Sequence, residues 1–306
     1  MEARDRGGTG RVAASLEAAA RSLARPVARW YRYLPTARKL RLRRLWYWPL
    51  DELELRTGRR NPLLPPRGLR FVGRGDFTGT GKTFRDYFQT LGGLQPNHRV
   101  LDVGCGVGRM AVPLTEVIRA PGSYDGFDAV REAVVWCQGA ITPRFPGFRF
   151  EHLDVANRRY NPAGRLDARE VTFPYGSAAF DFVIVTSVFT HLAPAAAERY
   201  VAEIARVLRG GGRILATFFL LNRDSERLLA AGASELRFDH PLGSARTMVA
   251  GDPDFAVALP ESEVREAFRR HALRIDEPVH YGDWCGRAEH LDHQDIILAT
   301  RDGGTG

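Results

Sequence analysis

VLDVGCGVGR, residues 100–109, decides how this chain folds. An apolar run ends at Val103, and glycines follow at positions 104, 106 and 108. Glycine adopts backbone conformations closed to other residues and lets a ligand come close to the main chain. The stretch therefore reads as a strand that turns sharply into a helix beside a ligand. Its spacing is GxGxG, not the GxGxxG of dinucleotide-binding folds. Asp102 precedes the first glycine by two residues. A carboxylate there suits an ammonium group or an ordered water, and suits a pyrophosphate poorly.

Outward from this loop, short apolar strands alternate with helices. Strands are expected at Arg99–Val103, 124–128, 149–153, 180–187 and 212–219. A helix is expected over 83–91, and others begin near Arg109, Val130 and Pro194. Proline suits the last of these, since the first helical turn needs no N–H. Such alternation implies an α/β fold: a parallel sheet with helices on both faces and its ligands along the strand C-terminal edge. Residues 222–260 read as an irregular insert or lid. A helix over 261–271 and two strands, 273–281 and 295–300, close the domain.

Acids stand where that edge meets a ligand. Asp128 ends the second strand, and a carboxylate there can accept hydrogen bonds from ribose hydroxyls. Asp154 ends the third and could accept an adenine amino group. Cys105, inside the loop, reads as a small packing residue. His290 and His293 lack a third ligand, so no metal is expected.

These residues resemble the class I S-adenosylmethionine-dependent methyltransferases. The resemblance runs from about residue 73 to 301 and rests on VLDVGCGVGR (100–109), YDGFDAV (124–130), FDFVIVTSVFTHL (180–192) and YVAEIARVLRGGGRILATFF (200–219). It implies a Rossmann-like, seven-stranded, mostly parallel sheet with an antiparallel last strand, and S-adenosyl-L-methionine as cofactor. The expected cofactor-binding residues are Asp102, Gly104, Cys105, Gly106, Asp128, Ala129, Asp154, Val155, Ser187 and Val188, the last two along the methyl-transfer channel. His191, just past the fourth strand, is the candidate general base, or else a capping or packing histidine. His280, Tyr281, Asp283 and Arg287 are either polar site candidates or a surface hairpin.

The resemblance implies methyl transfer to a small molecule or glycan, with oxygen as the expected acceptor atom. The competing readings are a cofactor-binding module without transfer activity, tethered by its basic arm to a membrane or complex, a nucleic-acid or protein methyltransferase, and a nicotinamide-dependent oxidoreductase. GxGxG and Asp102 speak against the last.

The chain has 306 residues, 44% hydrophobic, enough for one large domain and unlike a disordered chain. Its net charge of +8 is localised: residues 11–48 hold ten Lys/Arg and one acid, leaving the rest at −1. A nucleic-acid partner is therefore not expected for the domain. The basic segment, with Trp30, Tyr31, Trp46 and Trp48, is a helical cap, a membrane-surface contact, or a contact to nucleic acid or an acidic substrate. Three cysteines without paired spacing fit a reducing, cytoplasmic setting, and no secretion signal or run of about 18 apolar residues is found. The domain map is 1–10 and 302–306 as disordered tails, 11–70 as a basic helical extension and linker, and 71–301 as the domain. Pro26 and Pro35 are expected to break the extension. Residues 71–77 are expected to fold over the cofactor.

Overall fold

Val100, Leu101 and Val103 are wholly buried, so the strand that carries them, β1 (Arg99–Val103), must be covered on both faces. In the computed structural model, which describes residues 34, 36–58, 61–70, 76–252 and 254–303, it lies inside a seven-stranded sheet. The expectations for 1–33, including Pro26, Trp30 and Tyr31, for Pro35, for most of 71–77 and for 304–306 lie outside the described residues.

The elements follow in chain order. Helix α1 (Thr36–Arg56) leads through a 3₁₀ turn to α2 (Phe77–Thr90) and β1. Next come α3 (Ala111–Leu114), β2 (Ser123–Asp128), α4 (Arg131–Ala140), β3 (Phe148–His152) and β4 (Phe180–Val185). A 3₁₀ turn, Phe189–His191, precedes α5 (Pro194–Val207) and β5 (Leu208–Phe218). Then follow β6 (Leu220–Leu221), α6 (Arg223–Ala230), β7 (His240–Leu242), β8 (Ala245–Thr247) and β9 (Val257–Pro260). Helix α7 (Glu261–Arg270) and strands β10 (Leu273–Ile275) and β11 (Asp295–Arg301) close the chain.

The main sheet has the order β10-β11-β5-β4-β1-β2-β3. Strands β1 to β5 pair in parallel. The last strand, β11, runs antiparallel between β5 and β10. This is the Rossmann-like sheet expected, and it sets the ends of β1, β2, β3 and β4 along one edge. Two apolar layers cover it. One centres on Leu101, Val183, Ile204 and Phe268, the other on Phe88, Tyr124, Ile141 and Phe182.

Four expectations need correction. The segment 222–260 is not irregular: β6, β9, β8 and β7 form a second sheet, and α6 is capped by Asn222 and Ser225. Its strands are two to four residues long, too short to show a period. Helix α2 starts at Phe77, not 83, because Asp76 accepts from the Thr78 amide at 3.0 Å. Gly79 and Gly81 inside it look like loop, yet a Cβ on Gly81 would lie 2.6 Å from the Arg109 carbonyl, so glycine allows the helix to pack there. Strand β10 ends at Ile275; beyond it the Asp276 amide donates to the Leu298 carbonyl at 2.8 Å and His280 bridges to Ile296. Helix α1 runs past Trp48 and through Pro49. Its far half is tied down, since Asp51 accepts the amides of Arg67 and Gly68 at 2.9 and 3.2 Å. Among the described residues, no helix is long and apolar enough to cross a membrane.

Candidate active site

The loop after β1 uses all three glycines. Gly104, Gly106 and Gly108 have φ of 79, 52 and 77°, a region that costs other residues energy. A Cβ on Gly104 would lie 2.5 Å from Val188 Cγ2, whereas one on Gly106 would meet nothing within 4 Å. Open space therefore lies over Gly106, where a ligand can rest against bare backbone. The turn is held by β2: the Gly104 and Cys105 amides donate to the Phe127 carbonyl at 2.9 and 3.0 Å.

Asp128 ties the loop from the other side. Its carboxylate accepts the Gly106 amide at 2.8 Å and the Val130 amide at 2.7 Å. Burial raises its pKa above the ordinary value. The outer lone pairs of a carboxylate so fixed can still accept two hydroxyls.

Around this loop lies a solvent-open, mostly apolar cleft. Gly104, Cys105, Gly106, Asp128, Ala129, Val155, Ser187, Val188 and His191 all line it. So do Arg109, Met110, Tyr160, Leu192 and Tyr200. Ser187 holds a left-handed φ of 57°. Its amide donates to Thr217 Oγ1 at 2.8 Å, and its hydroxyl and that of Thr217 both donate to Gln294 Oε1, at 3.1 and 2.6 Å. These bonds offset the backbone strain and fix the floor of the cleft.

Two expected residues turn away from it. Asp102 is fully buried beneath the loop, where Tyr124 donates to Oδ2 and Oδ1 has no protein partner. Burial pushes its pKa up to about 7. Side chains alternate across a strand, and Asp102 takes the inward direction, supporting the loop from below. Asp154 accepts from Asn161 Nδ2 at 2.9 Å and Arg165 Nε at 2.8 Å. The Arg165 hydrogen bond holds its pKa below the usual range. It closes the connection after β3, and Val155, Ala156 and Asn157 face the cleft in its place.

The candidates 280–287 also lie outside the cleft. Tyr281 donates to Glu261 at 3.0 Å, Arg287 stacks over the Tyr281 ring at 4.5 Å, and Asp283 engages His293 at 2.7 Å. His280 bridges to β11. They tie the turn before β11 to itself, to α7 and to β11. His290 Nδ1 contacts the Ala288 carbonyl. No group of three metal-ligating side chains occurs among the described residues.

His191 sits on the cleft wall with both ring nitrogens engaged. Nδ1 is 2.9 Å from the Asp254 carbonyl, and Nε2 is 3.0 Å from the Tyr160 hydroxyl. A carbonyl only accepts, so Nδ1 carries the proton and Nε2 accepts from Tyr160. Burial lowers the imidazole pKa to about 4 and raises that of Tyr160 to about 12. Both are neutral at pH 7. Sequence reading missed Tyr160, Asp254, Thr217 and Gln294. Tyr160 stands in Arg158-Arg159-Tyr160-Asn161, 31 residues before its partner, and carries no local signal.

Residues 101–216 match the family model described as a methyltransferase domain. A curated relative, phthiotriol/phenolphthiotriol dimycocerosates methyltransferase 1 of Mycobacterium ulcerans, is 34% identical over 119 residues, 39% of this chain and 36% of that protein. The chain thus matches about a third of that relative's length. Among solved structures, the PH0226 protein of Pyrococcus horikoshii matches with TM-score 0.52 at 14% identity, covering 81% of this chain and 99% of that one. A SAM-dependent methyltransferase of Methanosarcina mazei matches with TM-score 0.47 at 19% identity, over 69% of this chain and 95% of that one.

Proposed function

We propose, for a chain that carries a class I S-adenosylmethionine-dependent methyltransferase domain, that it methylates a hydroxyl oxygen on a largely apolar small molecule or glycan. The neutral Tyr160–His191 pair in a mostly apolar cleft carries this reading.

The residues present fit the cofactor. Gly104 and Gly106 give it bare backbone, Asp128 accepts its ribose hydroxyls, Ala129 and Val155 flank its base, and Ser187 and Val188 line the transfer channel. Asp102 and Asp154 support the loops that do this. When bound, S-adenosyl-L-methionine supplies a sulfonium-activated methyl group.

The chain's own part is alignment and proton removal. Holding the acceptor in line is worth roughly 7–11 kcal/mol. Tyr160 is placed to accept the acceptor's proton while passing its own to His191, with the Asp254 carbonyl holding the ring. General-base help of this kind contributes roughly 10²–10⁴-fold. An imidazole with pKa about 4 is too weak to strip an ammonium group. It is basic enough for a hydroxyl oxygen whose proton turns strongly acidic as the methyl group arrives. The pair therefore favours oxygen over nitrogen. The Mycobacterium ulcerans relative is named for a triol, and the same chemical class, a hydroxyl-bearing apolar acceptor, suits this cleft.

The test is release of S-adenosylhomocysteine with paired alcohol and amine acceptors. Alcohol turnover should fall at least tenfold in His191→Ala and Tyr160→Phe, with cofactor affinity nearly unchanged. Turnover of amines alone, or full activity in both variants, overturns the reading. Cofactor binding without any turnover would support the non-catalytic module.

A further inference from the structure

We propose that α1 is a docking element for an anionic lipid bilayer. At about 100° per residue, Leu40, Tyr47, Asp51 and Glu54 fall on one side of this helix. Leu42, Leu45, Trp46, Pro49 and Leu53 fall opposite, within an arc of about 100°. The inner side is fastened to the domain. Leu40 is buried with Leu69, Phe77, Val107 and Val130. Asp51 accepts two amides of the Arg67–Leu69 turn, and Arg43 donates to the Arg67 carbonyl at 3.0 Å. A Cβ on Gly68 would lie 2.9 Å from the Arg44 Cα, so the turn and the helix are in close backbone contact.

The outer side is open to solvent: Leu45 is 76% exposed, Trp46 78% and Leu53 58%, and Trp48, on the flank of the helix, is 65% exposed. A fastened helix that shows several Leu and Trp side chains to water offers a partner surface.

Charge identifies that surface. Arg38, Lys39 and Arg41 fall on or beside the outer side, and no acid occurs between residues 36 and 48. The acids of the second half are engaged within the chain, Glu52 by Arg56 and Glu54 by Arg67. Tryptophan beside arginine at the edge of an aliphatic stripe matches the headgroup boundary of an anionic bilayer. An RNA partner would use the arginines and tryptophans but give no reason for Leu42, Leu45, Pro49 and Leu53. Val107 both packs with Leu40 and lines the cleft, so docking sets the glycine loop beside the bilayer.

The full chain is tested by co-sedimentation with vesicles of phosphatidylcholine and phosphatidylglycerol in equal parts, and of phosphatidylcholine alone. The anionic vesicles should bind at least tenfold more tightly and blue-shift tryptophan emission. A variant with Leu45, Trp46, Trp48 and Leu53 all changed to Ser should lose that binding. In Arg38→Glu/Arg41→Glu affinity should fall about fivefold or more per site and the salt dependence should weaken. Both variants should keep the parent's cofactor-induced rise in melting temperature and its turnover of a soluble acceptor, which separates failed docking from failed catalysis. Equal binding to neutral vesicles, a serine variant that binds like the parent, or a dimer that the serine variant dissolves overturns the proposal.

Discussion

At the residue scale, the site depends on groups held outside their ordinary protonation range. His191 has its pKa lowered from 6.5 to about 4 by burial. Between those values the unfolded chain binds a proton that the folded chain refuses, so this contribution to stability is lost as pH falls from 6.5 toward 4. Relative to His191→Gln, the parent should lose about 2–3 kcal/mol between pH 7 and 4.5. Urea titrations of both proteins at the two pH values check this; parallel losses refute it. The comparison must use the variant, because Asp102 works in the opposite sense: its raised pKa of about 7 makes ionisation costly as pH rises. Asp128→Ala should weaken S-adenosylhomocysteine binding by about 1.5–3 kcal/mol, the worth of charge-assisted hydrogen bonds, and calorimetry reads it directly. The Gly104–Gly108 loop and Asp128 were legible because glycine and strand-end acids have local signatures. Asp154 stands at an equally marked position, yet its partners Asn161 and Arg165 lie in a connection without periodicity, so nothing local showed which way it turns. Tyr160 was hidden for the same reason.

At the element scale, long strands and amphipathic helices announced themselves and short ones did not. Strand β1 appears where the pattern put it, while β6 to β9 passed as loop. Of these, β6 is tied to Asp295, which is buried and receives the Leu220 and Gly282 amides and the Trp284 indole at 2.7, 2.8 and 2.8 Å. Trp284 in turn fills the core between Phe219 and Phe238. Asp295→Ala would strand these donors, each costing roughly 1–3 kcal/mol. A loss of about 3–5 kcal/mol is expected, with protease cleavage concentrated between 222 and 260. Asp295→Asn keeps an acceptor oxygen and should lose clearly less. Equal stability of the alanine variant and the parent would show that the small sheet stands without this link.

At the scale of the whole molecule, cofactor and fold are coupled by mass action. S-adenosylhomocysteine at about 100 times its dissociation constant should add about 2.7 kcal/mol of stability, roughly 5–10 °C in melting temperature for a domain this size. NADH should add nothing; a rise with NADH alone would reassign the glycine loop. The order of the main sheet was legible as a class of fold, because alternating strands and helices leave few topologies open. The docking of α1 was not, since Asp51 meets Arg67 and Gly68 through contacts that no sequence period encodes. The two walls of the cleft have different origins. The donor wall is cut from the ends of the central strands, where any change disturbs the sheet. The other wall, where the proposed acceptor would lie, draws on Tyr160, in the connection after β3, and on His191, braced by the Asp254 carbonyl outside the main sheet. On the proposed function, a change on this second wall would alter which acceptor is held while leaving the glycine loop, and so the methyl donor, untouched.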